Sequence, residues 1–225
     1  MIRQRSDRSL LITHQQKGSI LMRVNSIIET SRGIQAVDIR DRMYRRRVLY
    51  FTDEFNRETC CELNMQLMLL ESEAPGEPIM LYIDSPGGSV DSGLAIYDTI
   101  RMMSSPVTTV VAGMAASMGS IVFLAGEKRI MLPHSRLLIH DPYIPSGTSG
   151  KPLILQEELE KLMKVREQTA KIIAERTGQT LDWVYEKTKS DYIMDAQEAL
   201  ACGAATALGS FVRGAAGCLL LPSEE

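Results

Sequence analysis

The sequence predicts an α/β domain built on a largely parallel sheet. Three observations carry that expectation. Short apolar runs alternate with stretches of helical spacing. The connections between them are brief and rich in Gly, Pro and Ser. One long periodic stretch follows the last of the strands.

Taken in order, residues 1–25 show no clean period and hold five basic residues (Arg3, Arg5, Arg8, Lys17, Arg23) against one acid, Asp7. They are expected to be a leader or a flexible tail preceding a single domain over residues 26–225. Arg47 to Phe51 predicts a strand. Glu54 to Ser72 predicts a helix, through Leu63, Leu67 and Leu70. Ile79 to Ile83 is a short buried strand, followed by the turn Ser85–Gly88. Ser89 or Asp91 caps a helix that runs to about Met103. Val107 to Ala112 predicts a strand and Ala115 to Leu124 a helix of small residues. Strands are expected near Arg129–Leu132 and Arg136–Ile139. Residues 141–151 read as a loop. The long helix then runs from Pro152 to Thr177 and stops at Gly178. Leu155, Leu159, Leu162, Val165, Thr169 and Ile172 lie near one face of it. Shorter helices are expected at 181–189 and 196–202. At 1.5 Å per residue the long helix measures roughly 39 Å, more than a domain of this size covers by itself.

Composition narrows the function. Apolar residues make up 44% and charged residues 24%, and the net charge is −3. That balance belongs to a globular protein and gives no reason to expect nucleic acid or an anionic membrane as partner. No apolar run reaches the roughly 18 residues that span a bilayer. Cys60, Cys61, Cys202 and Cys218 have neither zinc-site nor disulfide-framework spacing, so buried thiols in a reducing cytosol are expected.

The densest chemical signal is Ala112 to Ser120, AGMAASMGS. A serine where a strand gives way to a small-residue helix gains from the helix dipole and from unpaired backbone N–H groups that face an oxyanion. A serine inside a packed Ala/Gly helix is the ordinary alternative. Only three histidines are available as a base. His14 lies in the presumptive tail, and His134 follows Pro133 in a turn. His140 ends the strand RLLIH, where a rigid element carries it to the same strand-end face as Ser117. The SPGG turn leaves backbone N–H groups uncovered and is a second oxyanion candidate. Too short and without the lysine of a phosphate loop, it argues against nucleotide binding. For the acid, Asp84, Asp98, Asp141, Asp182, Asp191 and Asp195 all remain open.

These segments resemble the ClpP family of serine peptidases. YIDSPGGSVDSGLAIYDTI is similar to its substrate-binding Gly–Gly turn, GMAASMGS to its nucleophile segment, and LPHSRLLIHDP to its histidine segment. ETSRGIQAVDIRDRMYRRRVLYF resembles the start of the mature core, and ERTGQTLDWVYEKTKSDYIMDAQEALACG the late helices and acid segment. The resemblance runs in the family's order from about Ser26 to Gly203. It implies the ClpP/crotonase-like fold, with stacked strand–strand–helix units and a protruding handle helix at 152–177.

It further implies Ser117 as nucleophile, His140 as base and Asp191 as acid, with the Gly88 and Met118 N–H groups as oxyanion hole. Gly87, Ser89 and Val90 fall on the edge that holds extended substrate. No metal or cofactor is implied. ATP is used by an AAA+ unfoldase of the ClpX, ClpA or ClpC type that delivers unfolded proteins. The subunits form stacked heptameric rings, with or without a paralogous subunit. The expected compartment is the cytoplasm, or else an organelle matrix or stroma. The chain departs from the family pattern at Asp141, where Gln is common, and at Ser190, where Arg is frequent. The segment GAATALG and the long extension depart too. Two other classes share the architecture: a non-catalytic ring partner, which usually lacks a triad residue, and a crotonase-type acyl-CoA enzyme, which needs no Ser–His–Asp set. All three triad candidates are present here.

Overall fold

The structure is a computed structural model that describes residues 25–30, 33–143, 149–210 and 221–222. The expected extension therefore lies almost wholly outside the described residues, as do His14 and Cys218. The chain forms two compact units, Met1–Arg42 and Met43–Glu225. The first contains an antiparallel hairpin, β1 (Asn25–Thr30) and β2 (Gly33–Asp38), with Asn25 opposite Asp38 and Thr30 opposite Gly33. The short helix α1 (Ile39–Tyr44) follows.

The second unit carries a mixed sheet. β3 (Val48–Phe51), β4 (Ile79–Ser85), β5 (Val107–Ala116) and β6 (Lys128–Met131) pair in parallel, as do β6 and β9 (Ala207–Ser210). β7 (Arg136–Ile139) pairs in parallel with the far half of β5, and antiparallel with β8 (Tyr192–Met194). The two-residue β10 (Leu221–Pro222) closes the order against β9. The α/β expectation holds.

Strand alternation decides the core. In β4, Ile79, Leu81 and Ile83 join the large cluster, whereas Met80 and Tyr82 join a small cluster with Val48, Val110 and Ile130. The helices α2 (Arg57–Glu73), α3 (Val90–Met102) and α4 (Met118–Ala125) cover the larger face. α2 begins where the Asn56 side chain accepts the Glu58 and Thr59 N–H groups, and it buries Cys60, Leu63, Leu67 and Leu70. Cys60 is a buried thiol as expected, but Cys61, one position on, points to the opposite side of the helix and is exposed. All eight residues of α4 are buried.

The end of α2 is tied to the loop before β5. The Glu71 carboxylate accepts hydrogen bonds from the Ser104 hydroxyl and from the Ser104 and Ser105 N–H groups. These donors favour the ionised form and hold Glu71 at about 2, against an ordinary 4.5. A depressed carboxylate stabilises the fold above its unfolded value, and that contribution disappears as pH falls through the folded one. Glu71→Gln is expected to lower the denaturation midpoint at neutral pH, with the gap closing as pH falls from 4.5 towards 2. A gap of constant size across that range would contradict this role.

Several element boundaries differ from the sequence reading: α2 starts at Arg57 and not at Glu54, and β4 runs on to Ser85. β5 extends to Ala116, and α4 starts at Met118 and not at Ala115. Ala115 and Ala116 pair with Leu137 and Leu138 of β7, so a sheet ladder claims residues whose composition suggests helix. The strand passes through Gly113, where a Cβ would lie 2.5 Å from the Asp84 carboxylate. The long helix, α5 (Pro152–Thr177), has its expected bounds, and Gly178 ends it in the left-handed conformation. Its apolar row, which this domain is too small to cover, is divided between solvent and cavity. Ala170 and Ile173 are the buried residues of α5, Leu155 and Leu159 are exposed, and Leu162 and Thr169 line a cavity. α6 (Leu181–Thr188) and α7 (Ala196–Ala201) complete the helices.

Candidate active site

The turn after β4 is built by side chains that free its backbone. The buried Ser85 hydroxyl donates to the Asp53 carbonyl at 2.6 Å and accepts the Gly87 N–H at 3.2 Å. Phe55 N–H donates to the Gly87 carbonyl, and Ser89 N–H donates to the Phe55 carbonyl. This parallel bridge leaves the Gly88 N–H outside it. Glycine is required at both turn positions. Gly87 (φ +103°) places its α-carbon so close to the next segment that a Cβ would meet Ser117 Cβ at 2.6 Å and the Ala116 carbonyl at 2.7 Å. At Gly88 (φ +141°) a Cβ would meet the Phe55 carbonyl at 2.4 Å. Ser89 then caps α3, accepting from Ser92 N–H.

Ser117 stands between β5 and α4 with φ +53° and ψ −119°, a backbone conformation rare for a residue with a side chain. Its N–H donates to the Leu138 carbonyl of β7, which anchors the elbow. Met118, the first residue of α4, presents an N–H with no carbonyl one helical turn before it. The far end of α4 is held by two arginines. Arg176 donates to the carbonyls of Leu124 and Gly126, and buried Arg129 to those of Gly126, Arg176, Gly203 and Ala204. Burial, then the neighbouring Arg176 charge, brings the Arg129 guanidinium down to about 10. Cations at that end complement the dipole whose positive end lies beside Ser117.

The strand register gathers the other two residues. In the β7–β8 ladder Leu138 lies opposite Ile193 and Ile139 opposite Tyr192. His140 directly follows the last paired residue of β7, and Asp191 directly precedes the first paired residue of β8. Ser117, His140 and Asp191 thus occupy the ends of three adjacent strands. Ser117 and His140 line a common cavity of about 590 Å³, and Asp191 lies outside its lining. Among the described residues no hydrogen bond joins the three side chains. Glycines 87 and 88, Ser89, Val90 and Met118 line the same cavity, so these sequence candidates are brought together. α5 supplies one wall through Leu162, Thr169 and Ile173, and the Tyr143 ring lies tilted at 30° to the His140 ring, with 5.7 Å between their centres.

The alternatives left open by the sequence lie outside the cavity lining, as Asp191 does, and Asp84, Asp141 and Asp195 have hydrogen-bond partners. His134 lies exposed in the turn between β6 and β7. Asp84 accepts the Met114 N–H, and Asp195 caps α7 in a capping box with Glu198. Asp98 is exposed on α3, and Asp182 sits in the first turn of α6. Asp141 follows His140, but both of its oxygens are engaged. Thr188 Oγ1 donates to Oδ1 and Arg166 Nε to Oδ2, each at 2.6 Å. Sequence reasoning missed Arg166, Thr188 and strand β8. Three residues are too few for a period, and a long-range ion pair leaves no local signal.

A serine at a strained strand–helix elbow, with a histidine and a glycine turn lining the same cavity, is an arrangement that serine hydrolases use. Residues 31–209 match the Clp protease family, and the chain belongs to it. The family is one of serine-type endopeptidases, and membership implies oligomerisation and ATPase partners. No helix among the described residues is long and apolar enough to cross a membrane.

Proposed function

We propose that this chain is the peptidase subunit of a compartmentalised, ATP-dependent protease. The observation that supports the reading is that Ser117 and His140 line one cavity, at the ends of paired strands β5 and β7, while Asp191 adjoins the neighbouring β8. An extended substrate lies along Gly87, Ser89 and Val90, by backbone pairing. Ser117 Oγ attacks the scissile carbonyl while His140 takes its proton. Asp191 holds the imidazole tautomer and stabilises the imidazolium. The Gly88 and Met118 N–H groups receive the oxyanion. His140 returns the proton to the leaving amine, and water releases the acyl-enzyme by the reverse relay. The hydrogen bonds between the three side chains form when substrate fills the cleft, since catalytic hydrogen bonds commonly reach their working geometry only in the substrate complex.

The reaction uses no metal and no cofactor. ATP is spent by an AAA+ unfoldase of the ClpX, ClpA or ClpC type, which feeds unfolded chains into stacked heptameric rings in the cytoplasm. α5 is the stacking element. Its N-terminal half presents Leu153 (73% exposed), Leu159 (50%) and Met163 (51%), side chains that need a covering surface.

Two measurements test the reading together. A short fluorogenic peptide is cleaved by the chain alone, and an unfolded protein is degraded only with the unfoldase and ATP. Acyl-CoA turnover without peptide hydrolysis would overturn the assignment. Leu159→Glu with Met163→Lys is expected to reduce double rings to single rings or smaller species in sedimentation. Unchanged particle size would remove α5 from stacking.

A further inference from the structure

The residue after His140 is held at three points. Asp141 N–H donates to the Thr188 carbonyl at 2.8 Å, Thr188 Oγ1 donates to Asp141 Oδ1, and Arg166 Nε donates to Asp141 Oδ2. Arg166 is itself fixed from the other side, its guanidinium 4.2 Å from the centre of the Tyr185 ring. Asp141 and Arg166 are only 29% and 23% exposed in their side chains, so the pair is partly shielded and charge-assisted, unlike an ordinary surface ion pair. The His140 side chain has no hydrogen bond among the described residues. Its aim is therefore set by its backbone, which β7 fixes before it and Asp141 fixes after it. Arg166 lies one helical turn from Leu162 and just before Thr169, both of which line the cleft. The same ion pair thus ties the base-bearing strand to the cleft wall.

The geometry points to Asp141 and Arg166 as positioning residues, a clamp that holds His140 in register with Ser117 and makes that register depend on the docking of α5. The inference rests on the triad reading above. The clamp acts through His140, and neither of its residues touches the reacting atoms. A misplacement of the base by about 1 Å is enough to cost on the order of a hundredfold in rate.

The test compares Asp141→Asn, Arg166→Met, their double variant and Arg166→Lys, all as assembled rings. Three quantities are read: kcat and KM on a short fluorogenic peptide, the rate at which a fluorophosphonate labels Ser117, and particle mass. Each of the first two variants is expected to lose about 10- to 100-fold in kcat and in labelling rate, at nearly constant KM. The double variant is expected to be no worse than the worse single one, as for two halves of one interaction. Arg166→Lys, which keeps the charge, recovers most of the loss. An unchanged labelling rate, a change confined to KM, or fully additive losses would overturn the clamp. If Arg166→Met lowers the particle mass, Thr188→Val replaces it, removing one tie while leaving the α5 charge in place, and the same loss of labelling is required. Ser117→Ala separates the two claims. If it stays active, the triad reading falls and the clamp with it. If it is inactive while the clamp variants behave as wild type, the clamp alone falls.

Discussion

Ser117→Ala is expected to abolish peptide hydrolysis while leaving the fold and particle size intact. Removing the nucleophile of such a triad costs about a million-fold in turnover. The fold should tolerate the change because the Ser117 side chain makes no capping hydrogen bond to α4. What anchors the elbow is the Ser117 N–H to the Leu138 carbonyl, which alanine keeps. The positive φ at this position is a cost that alanine bears as serine does. Hydrolysis within tenfold of wild type would move the nucleophile elsewhere.

Asp191→Asn is the second large effect, about 10⁴-fold in kcat, because an amide in place of the acid favours the wrong imidazole tautomer. Its contrast with Asp141→Asn is informative. Asp141 is the chain neighbour of His140, and Asp191 precedes β8, the strand paired with β7. Asp141 has its oxygens engaged by Thr188 and Arg166, whereas Asp191, just before β8, has no such partner among the described residues. Asp191→Asn should therefore be the more severe of the two by about a hundredfold. The reverse order would make Asp141 the acid. His140→Ala should match Asp191→Asn or exceed it, and His134→Ala should be close to silent.

The parts of this site that are local in the chain were legible in the sequence. The SPGG turn, the serine after a run of small residues, and the histidine ending RLLIH each announce a backbone event where it occurs. The bounds of α5 were equally plain, because Pro152 and Gly178 punctuate it. The acid was not legible from the residues alone. Six aspartates look alike in the sequence, and only the family resemblance singles out Asp191; the β7–β8 pairing is a long-range feature that no local pattern announces. The start of α4 was misjudged for a related reason. Ala115 and Ala116 have helical composition, and only their pairing with β7 makes them strand. The apolar row of α5 is legible as a face, and Leu155 and Leu159 on it are exposed, but periodicity does not say that Leu162 and Thr169 line a cavity. Arg166 was invisible for the same cause: its partner lies 25 residues away.

The central claim is that Ser117 is the nucleophile, activated by the strand-end constellation. The most direct measurement is to label the assembled protein with a fluorophosphonate and locate the adduct by peptide mass spectrometry. The account predicts one adduct per subunit, on Ser117, lost in His140→Ala and strongly slowed in Asp191→Asn. An adduct on Ser120, Ser89 or another residue, or labelling of Ser117 that is indifferent to His140, would contradict it.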